Sequence, residues 1–263
     1  MAVAAATLKR SAAQLVAALQ ANPSDGAEAI HAFWDEFIND AESASTRKVE
    51  CNGVAIVSAP GLIDALVHVA SHGPDDAACT QAFALLASLA FVPENQAVLA
   101  QCHGLVEACV AASAKPSTEL AVLALWCLSN LLLDADNRSR VFHDHPSVLH
   151  AAMAAARSAD VLEIAPSALD VLVNLAAHED NQPLLMKEPG LVASTLEASK
   201  QGGDMAVKAY MLLGNLAMAY DNLHPLLSHP VRWFFFFCAD SWRRRDWWPR
   251  PSKVSARLSS SAR

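Results

Sequence analysis

Ten histidines and six cysteines are the side chains with the widest chemical repertoire in this chain of 263 residues. The densest histidine group is HDHPSVLH, which holds His143, Asp144, His145 and His150. Imidazoles and carboxylates can bind zinc. The segment falls at a break between helices, however, and no second ligand cluster is near it in sequence, so solvated loop histidines describe it better. The cysteines, at positions 51, 79, 102, 109, 127 and 238, form no C-x-x-C pair. They fit small thiols in a reducing compartment. No Gly-rich phosphate loop, nucleophile elbow or H-E-x-x-H pattern occurs. No catalytic residue, metal ligand or cofactor is therefore expected. A metal-dependent enzyme is the alternative from another class.

What does recur is a sentence: FALLASLAFVPENQAVL, ALWCLSNLLLDADNRSRVF, LDVLVNLAAHEDNQPLL and MLLGNLAMAYDNLHPLL. The Leu closing each apolar run, Leu89, Leu131, Leu175 and Leu216, recurs after 42, 44 and 41 residues. Six residues after each comes Asn95, Asn137, Asn181 or Asn222. Nine residues beyond the first three of those stands a breaker, Gly104, Pro146 or Gly190. An earlier copy begins at Asn52 and places Gly61 over Gly104. Glycine suits a helix end, because left-handed backbone costs little without a Cβ. A period near 42 predicts a helical solenoid with repeats at about 51–93, 94–135, 136–179 and 180–220. In the long helix of each repeat one apolar stripe is predicted to be core. It comprises Leu120, Ala124, Cys127, Leu128 and Leu131, then Ile164, Ala168, Val171, Leu172 and Leu175, then Met205, Ala209, Leu212, Leu213 and Leu216.

A short helix, a Gly break, a second helix and a long third helix ending in a phrase such as Ala124–Leu131 resembles the armadillo repeat. The resemblance covers about residues 51–230. HEAT repeats are the neighbouring possibility, and the Gly break and recurrent Asn argue against them. The resemblance implies an all-α fold, a right-handed α-solenoid. It also implies a non-enzymatic scaffold or adaptor that binds an extended peptide or partner protein in a concave groove.

Asn130, Asn174 and Asn215, with Ser88 upstream, lie off the core stripe. In armadillo proteins the matching Asn lines the groove and bonds peptide main chain, and an amide has the donor and acceptor for that. The other reading is an Asn that satisfies carbonyls of a loop or a neighbouring repeat. One turn earlier stand Ala84, Trp126, Asp170 and Met211. Trp126 with Asn130 resembles the Trp-Asn ladder of nuclear-import adaptors, but the other repeats lack the Trp. A lone Trp is more often partial core. Further back are Glu119, Glu163 and Asp204, which with Asp170 would make this side acidic, diluted by Lys208. The other reading of those acids is a set of solvated helix starts. The groove candidates are thus Ser88, Glu119, Trp126, Asn130, Glu163, Asp170, Asn174, Asp204, Met211 and Asn215. A basic peptide is the partner they would suit, and a nuclear-import-type adaptor is the alternative binding reading.

The formal charge of −8 is uneven. Residues 1–230 carry 11 basic and 25 acidic side chains, a formal −14, and residues 231–263 a formal +6. An acidic body argues against nucleic-acid binding by the solenoid, since phosphate contacts need a basic surface. Hydrophobic content is 53%, but no run reaches 18 uninterrupted apolar residues, so buried helices are expected and not membrane spans. Residues 1–22 read as a capping helix with Leu8, Ala12, Leu15, Val16 and Leu19 on one face, or as an amphipathic transit peptide to mitochondria. Ser24 or Asp25 could cap a second helix, and residues 39–50 read as a polar link. Residues 1–50 together form an N-terminal cap or degenerate repeat, and a cytoplasmic or nuclear location is expected.

After Pro230 the repeat grammar stops. Residues 231–263 hold four of the six Trp and four of the nine Phe. Three readings compete for them: a non-native tail from exon choice, a basic-aromatic segment for a membrane surface or nuclear entry, and a divergent cap.

Overall fold

The structure, a computed structural model, describes residues 2–21, 26–37, 46–157 and 163–228. The tail at 231–263 and the proposed caps Ser24 and Asp25 lie outside them. Two compact units are present, Met1–Ala219 and Tyr220–Arg263.

The described residues form helices and no strands. In chain order they are α1 Ala2–Ala21, α2 Gly26–Phe37, α3 Thr46–Val57, α4 Leu62–His72, α5 Asp76–Phe91, α6 Pro93–Leu99, α7 Leu105–Ser113 and α8 Thr118–Leu131. Then follow α9 Ala135–Asp144, α10 Ser147–Ala156, α11 Ile164–Ala176, α12 Gln182–Leu185, α13 Leu191–Ser199, α14 Gly203–Leu216 and, in the second unit, α15 Tyr220–Ser228. Residues 46–50, expected to be polar link, are already helical in α3.

Three columns of helices result. The long helices α5, α8, α11 and α14 pack side by side, as do the middle helices α4, α7, α10 and α13. The short helices α3, α6 and α9 make the third column. At the start, α1 packs on α4 and α2 on α5, so the first two helices extend the middle and long columns. Leu8, Ala12, Leu15 and Leu19 of α1 are buried there, and Ile30 and Phe33 of α2 as well.

Local chemistry sets each break. Gly61, Gly104 and Gly190 precede α4, α7 and α13 at φ of 73°, 81° and 81°. At Gly61 the constraint is backbone conformation and not space, since nothing lies within 4 Å of where its Cβ would stand. The third repeat, 136–179, holds Pro146 at φ −60° instead, a different breaker with a right-handed backbone. Asp75 and Asp134 cap α5 and α9 by accepting from Ala78 N at 2.8 Å and Asn137 N at 2.9 Å. Asp134 is thus the residue of the acidic turn that holds the helix start.

Every member of the predicted core stripe is buried. So are Ala121, Leu125, Leu169 and Val173 off that stripe. A long helix sandwiched between two others and backed by the middle column is apolar nearly all round. Among the described residues, the side bearing Asn130, Asn174 and Asn215 stays open along the column, and α14 also exposes Val207 and Tyr210.

No single described helix is long and apolar enough to cross a membrane. Two pairs, α5 with α6 and α8 with α9, pass on composition together, but they bend by 119° and 120° at their breaks.

Candidate functional site

Two rows of asparagine run along the solenoid, and they do different things. The turn row is buried. Asn95 donates to Leu89 O at 3.0 Å, Asn137 to Leu131 O at 2.8 Å and Asn181 to Leu175 O at 3.0 Å. The offset of six residues between closing Leu and turn Asn is therefore a hydrogen bond to a carbonyl at the end of a long helix, where the intrahelical donors run out; Leu89 O and Leu175 O also accept from Val92 N and His178 N. The same amides reach back one repeat. Asn137 donates to Gln96 O at 3.0 Å and Asn181 to Arg138 O at 3.0 Å. Arg140 Nη2 in turn donates to Asn137 Oδ1.

The second row stands on the long helices, at the half-buried positions of the candidate groove. Asn130 donates to Ala87 O at 2.9 Å. Asn174 donates to Ser129 O at 3.0 Å and Ser129 Oγ at 3.1 Å, and Asn215 to Val173 O at 3.0 Å. Each amide thus reaches the residue just before its counterpart in the preceding repeat. These asparagines staple neighbouring long helices, so removing one also touches the fold.

Equivalent positions are consequently aligned across α5, α8, α11 and α14. Ser88 and Ala84 are half-buried on α5. Trp126 on α8 is 55% exposed and Met211 on α14 is 52% exposed. A Trp in the core would be covered, whereas more than half of Trp126 is open to solvent. Glu119, Glu163 and Asp204 form an exposed row at the N-terminal ends of α8, α11 and α14. At the other end, three residues beyond the Asn row, stand exposed Phe91, Leu133 and Met218.

Asp170 is engaged. Lys208 Nζ lies 2.7 Å from Asp170 Oδ2 and 3.0 Å from Asp204 Oδ2, and it also donates to Pro166 O at 3.3 Å. Burial lowers the Lys208 pKa, but hydrogen bonds to the two carboxylates outweigh it and hold the ammonium above its usual value. Burial is also the largest influence on Asp170 and raises its carboxyl, with Lys208 pulling the other way. The third and fourth repeats therefore neutralise much of their own acidity, which weakens the case that Asp170 selects a basic ligand.

The histidine segment is dispersed by the fold. His145 faces Glu107 of α7 at 3.2 Å, and His150 faces Glu188 at 3.4 Å. Among the described residues no group of three or more His, Cys, Asp or Glu side chains could hold a metal ion. Cys79, Cys109 and Cys127 are buried. Burial, with Cys127 beside it, pushes the Cys109 thiol well up, so it stays protonated and unreactive.

No family model matches the chain, and no curated protein matches it. Solved structures do. A designed armadillo repeat protein in complex with the peptide (KR)4 aligns over 82% of this chain and 92% of its own, at 16% identity and a TM-score of 0.63. The fold is armadillo-like. Computationally designed armadillo repeat proteins for modular peptide recognition align over 79% of this chain and 99% of theirs, at 16% identity and a TM-score of 0.57. An engineered protein aligns over 81% and 92%, at 19% identity and a TM-score of 0.55. At these identities the likeness to armadillo proteins is one of fold: all-α, a right-handed solenoid of short, middle and long helices.

Two features of the armadillo face escape a reading of the sequence. The turn Asn row carried the signal in its fixed offset, but the offset alone does not name the carbonyl. The apolar row of Phe91, Leu133 and Met218 falls just past the Asn positions, where apolar residues read as a continuation of the core stripe.

Proposed function

We propose that this chain is a non-enzymatic interaction scaffold, and that an extended peptide or a partner's extended segment lies along the face lined by Ser88, Asn130, Asn174 and Asn215. One observation carries the reading. Along this face the long helices expose Trp126 and Met211 at one register position between rows of polar side chains, and among the described residues the long helices pack on one another and on the middle column with this face left open. Large exposed aromatic and Met side chains among polar neighbours are what binding surfaces use. The (KR)4 ligand of the designed relative shows what that protein binds; for this chain it supports a peptide-sized occupant.

The test is capture by the full chain and by its Trp126→Ala, Met211→Ala double variant, followed by identification of what co-purifies. Partners lost by the double variant and kept by Val98→Ser on the exposed side of α6 support the reading. Partners kept by the double variant and lost by Val98→Ser overturn it.

A further inference from the structure

The face has two unlike edges. Along one edge run Glu119, Glu163 and Asp204, in or beside the first turns of α8, α11 and α14. Along the other run Phe91, Leu133 and Met218, exposed at the C-terminal ends of α5, α8 and α14. The rows are separated by 14 residues of register, about 21 Å at 1.5 Å per residue. Between them lie Trp126 and Met211, then the Asn row.

An extended chain turns its main-chain N–H and C=O groups at right angles to its side chains, and alternate side chains leave on opposite sides. If the peptide main chain runs along the Asn row, the side chains cannot point at that row. They fall alternately toward the acidic edge and the apolar edge. Charge complementarity then decides which is which. Lys or Arg stems can cross Trp126 and Met211, aliphatic portion down, while Glu119, Glu163 and Asp204 stand 11 residues of register from the Asn row, about 16 Å, and attract the charge through solvent and not by contact. Leu, Ile or Phe falls on Phe91, Leu133 and Met218.

We propose that the preferred occupant is an extended segment in which basic and apolar residues alternate, and not a uniformly basic one. Lys208 limits how many basic positions the face can take: it already sits between Asp170 and Asp204, so the open acids of that edge are Glu119 and Glu163 and a cation on every ligand residue meets repulsion at the fourth repeat. The inference rests on the groove reading and narrows it.

The test uses the full chain and labelled peptides of about ten residues, roughly the number an extended chain needs to cross three helices spaced by about 8–10 Å. One peptide alternates Lys with Leu. A second has the same composition in two blocks. A third repeats Lys-Leu composition at helical spacing, and a fourth alternates Lys with Arg. Anisotropy titration at low and physiological salt should rank the alternating peptide at least about tenfold tighter than the others. Glu119→Lys with Glu163→Lys should remove most of its salt dependence. Leu133→Asp should weaken it while leaving the Lys-Arg peptide unchanged.

Equal affinity for the block or Lys-Arg peptide, or tighter binding of the helical one, overturns the inference. If those peptides still respond to Trp126→Ala, the groove reading survives it. No measurable binding of the alternating peptide overturns the inference as well. Binding of all four peptides that is indifferent to Trp126→Ala and Leu133→Asp overturns the groove reading itself.

Discussion

The turn asparagines and the face asparagines recur with one period, yet burial separates them. Asn137 and Asn181 are 0% exposed and each donates to two main-chain carbonyls, one in its own repeat and one in the repeat before. Asn130, Asn174 and Asn215 are half-buried, bond the preceding repeat, and look onto the exposed side of the long helices. Recurrence in a solenoid therefore carries two messages. A residue can repeat because each interface needs it, or because a bound chain could meet it at each repeat. The face row is built to allow both.

Breaking the turn row should do the most damage. Asn137→Ala takes the side-chain donor from Leu131 O in a buried turn and one of two donors from Gln96 O, which keeps Ala100 N at 3.0 Å. An unsatisfied buried group costs about 1–3 kcal/mol and a further lost hydrogen bond about 0.5–1.5 kcal/mol, so a loss of about 1.5–4.5 kcal/mol is expected in urea unfolding. Since a solenoid's stability is carried by nearest-neighbour interfaces, the loss should spread to both flanking repeats in hydrogen exchange. A loss under about 1 kcal/mol would put the two rows on one footing. Leu172→Ala, which removes core packing and no polar partner, should cost a similar amount, about 2–5 kcal/mol, and calibrates the comparison.

Breaking the face row should do less to the fold. Asn174→Ala removes one inter-repeat staple at a half-exposed site, for about 0.5–1.5 kcal/mol. The sequence allows two readings of Asn174, a groove residue or an amide that satisfies a neighbouring repeat, and the bond to Ser129 O is the second. Binding must therefore be measured well below the variant's melting temperature, where the folded population is unchanged. A stability loss as large as that of Asn137→Ala would make the face row purely structural.

Trp126→Ala sharpens the contrast from the other side. An exposed side chain away from packed contacts changes stability within about 0.5 kcal/mol. If Trp126 anchors the occupant, binding should fall by about tenfold or more. A variant with weakened folding and normal binding would assign Trp126 to the fold.

Much of the architecture was legible because periodicity and packing are the same fact here. Leu128, Leu172 and Leu213 recur because each long helix meets the same neighbours, and all are buried. Gly61, Gly104 and Gly190 could be read as helix breaks because a positive φ leaves glycine as the easy choice. The site was less legible because its determinants are pairwise and distant in sequence. Asp170 and Lys208 are 38 residues apart, and nothing in either helix alone says that they meet. Asn130 and Ala87 are 43 residues apart, and a main-chain carbonyl leaves no mark in a sequence. The start of α3 at Thr46 was hidden for another reason: Arg47, Lys48 and Glu50 are good helix formers that resemble polar linker.

The smallest expected effect concerns Lys208, and its sign can be worked out. Its folded pKa is raised above the usual 10.5, because Asp170 and Asp204 outweigh the burial that would lower it. A basic group raised on folding contributes stability that is fully present below its unfolded pKa and is lost as pH rises through the folded value. The stability difference between wild type and Lys208→Met should therefore be flat from neutral pH to about 10 and shrink above it. Comparing the two proteins cancels the other lysines and the tyrosines, which titrate in both. The ammonium is partly exposed, so the contribution is screened and should stay near about 1 kcal/mol or below. Lys208→Met also frees the Asp170 and Asp204 carboxylates on the binding face. If the internal ion pair is what disfavours a uniformly basic ligand, the Lys-Arg peptide should gain affinity in this variant and lose the gain at high salt. A stability difference that does not change above pH 10.5, with no gain for the Lys-Arg peptide, would show that Lys208 acts through its aliphatic stem packed against the long helices rather than through its charge.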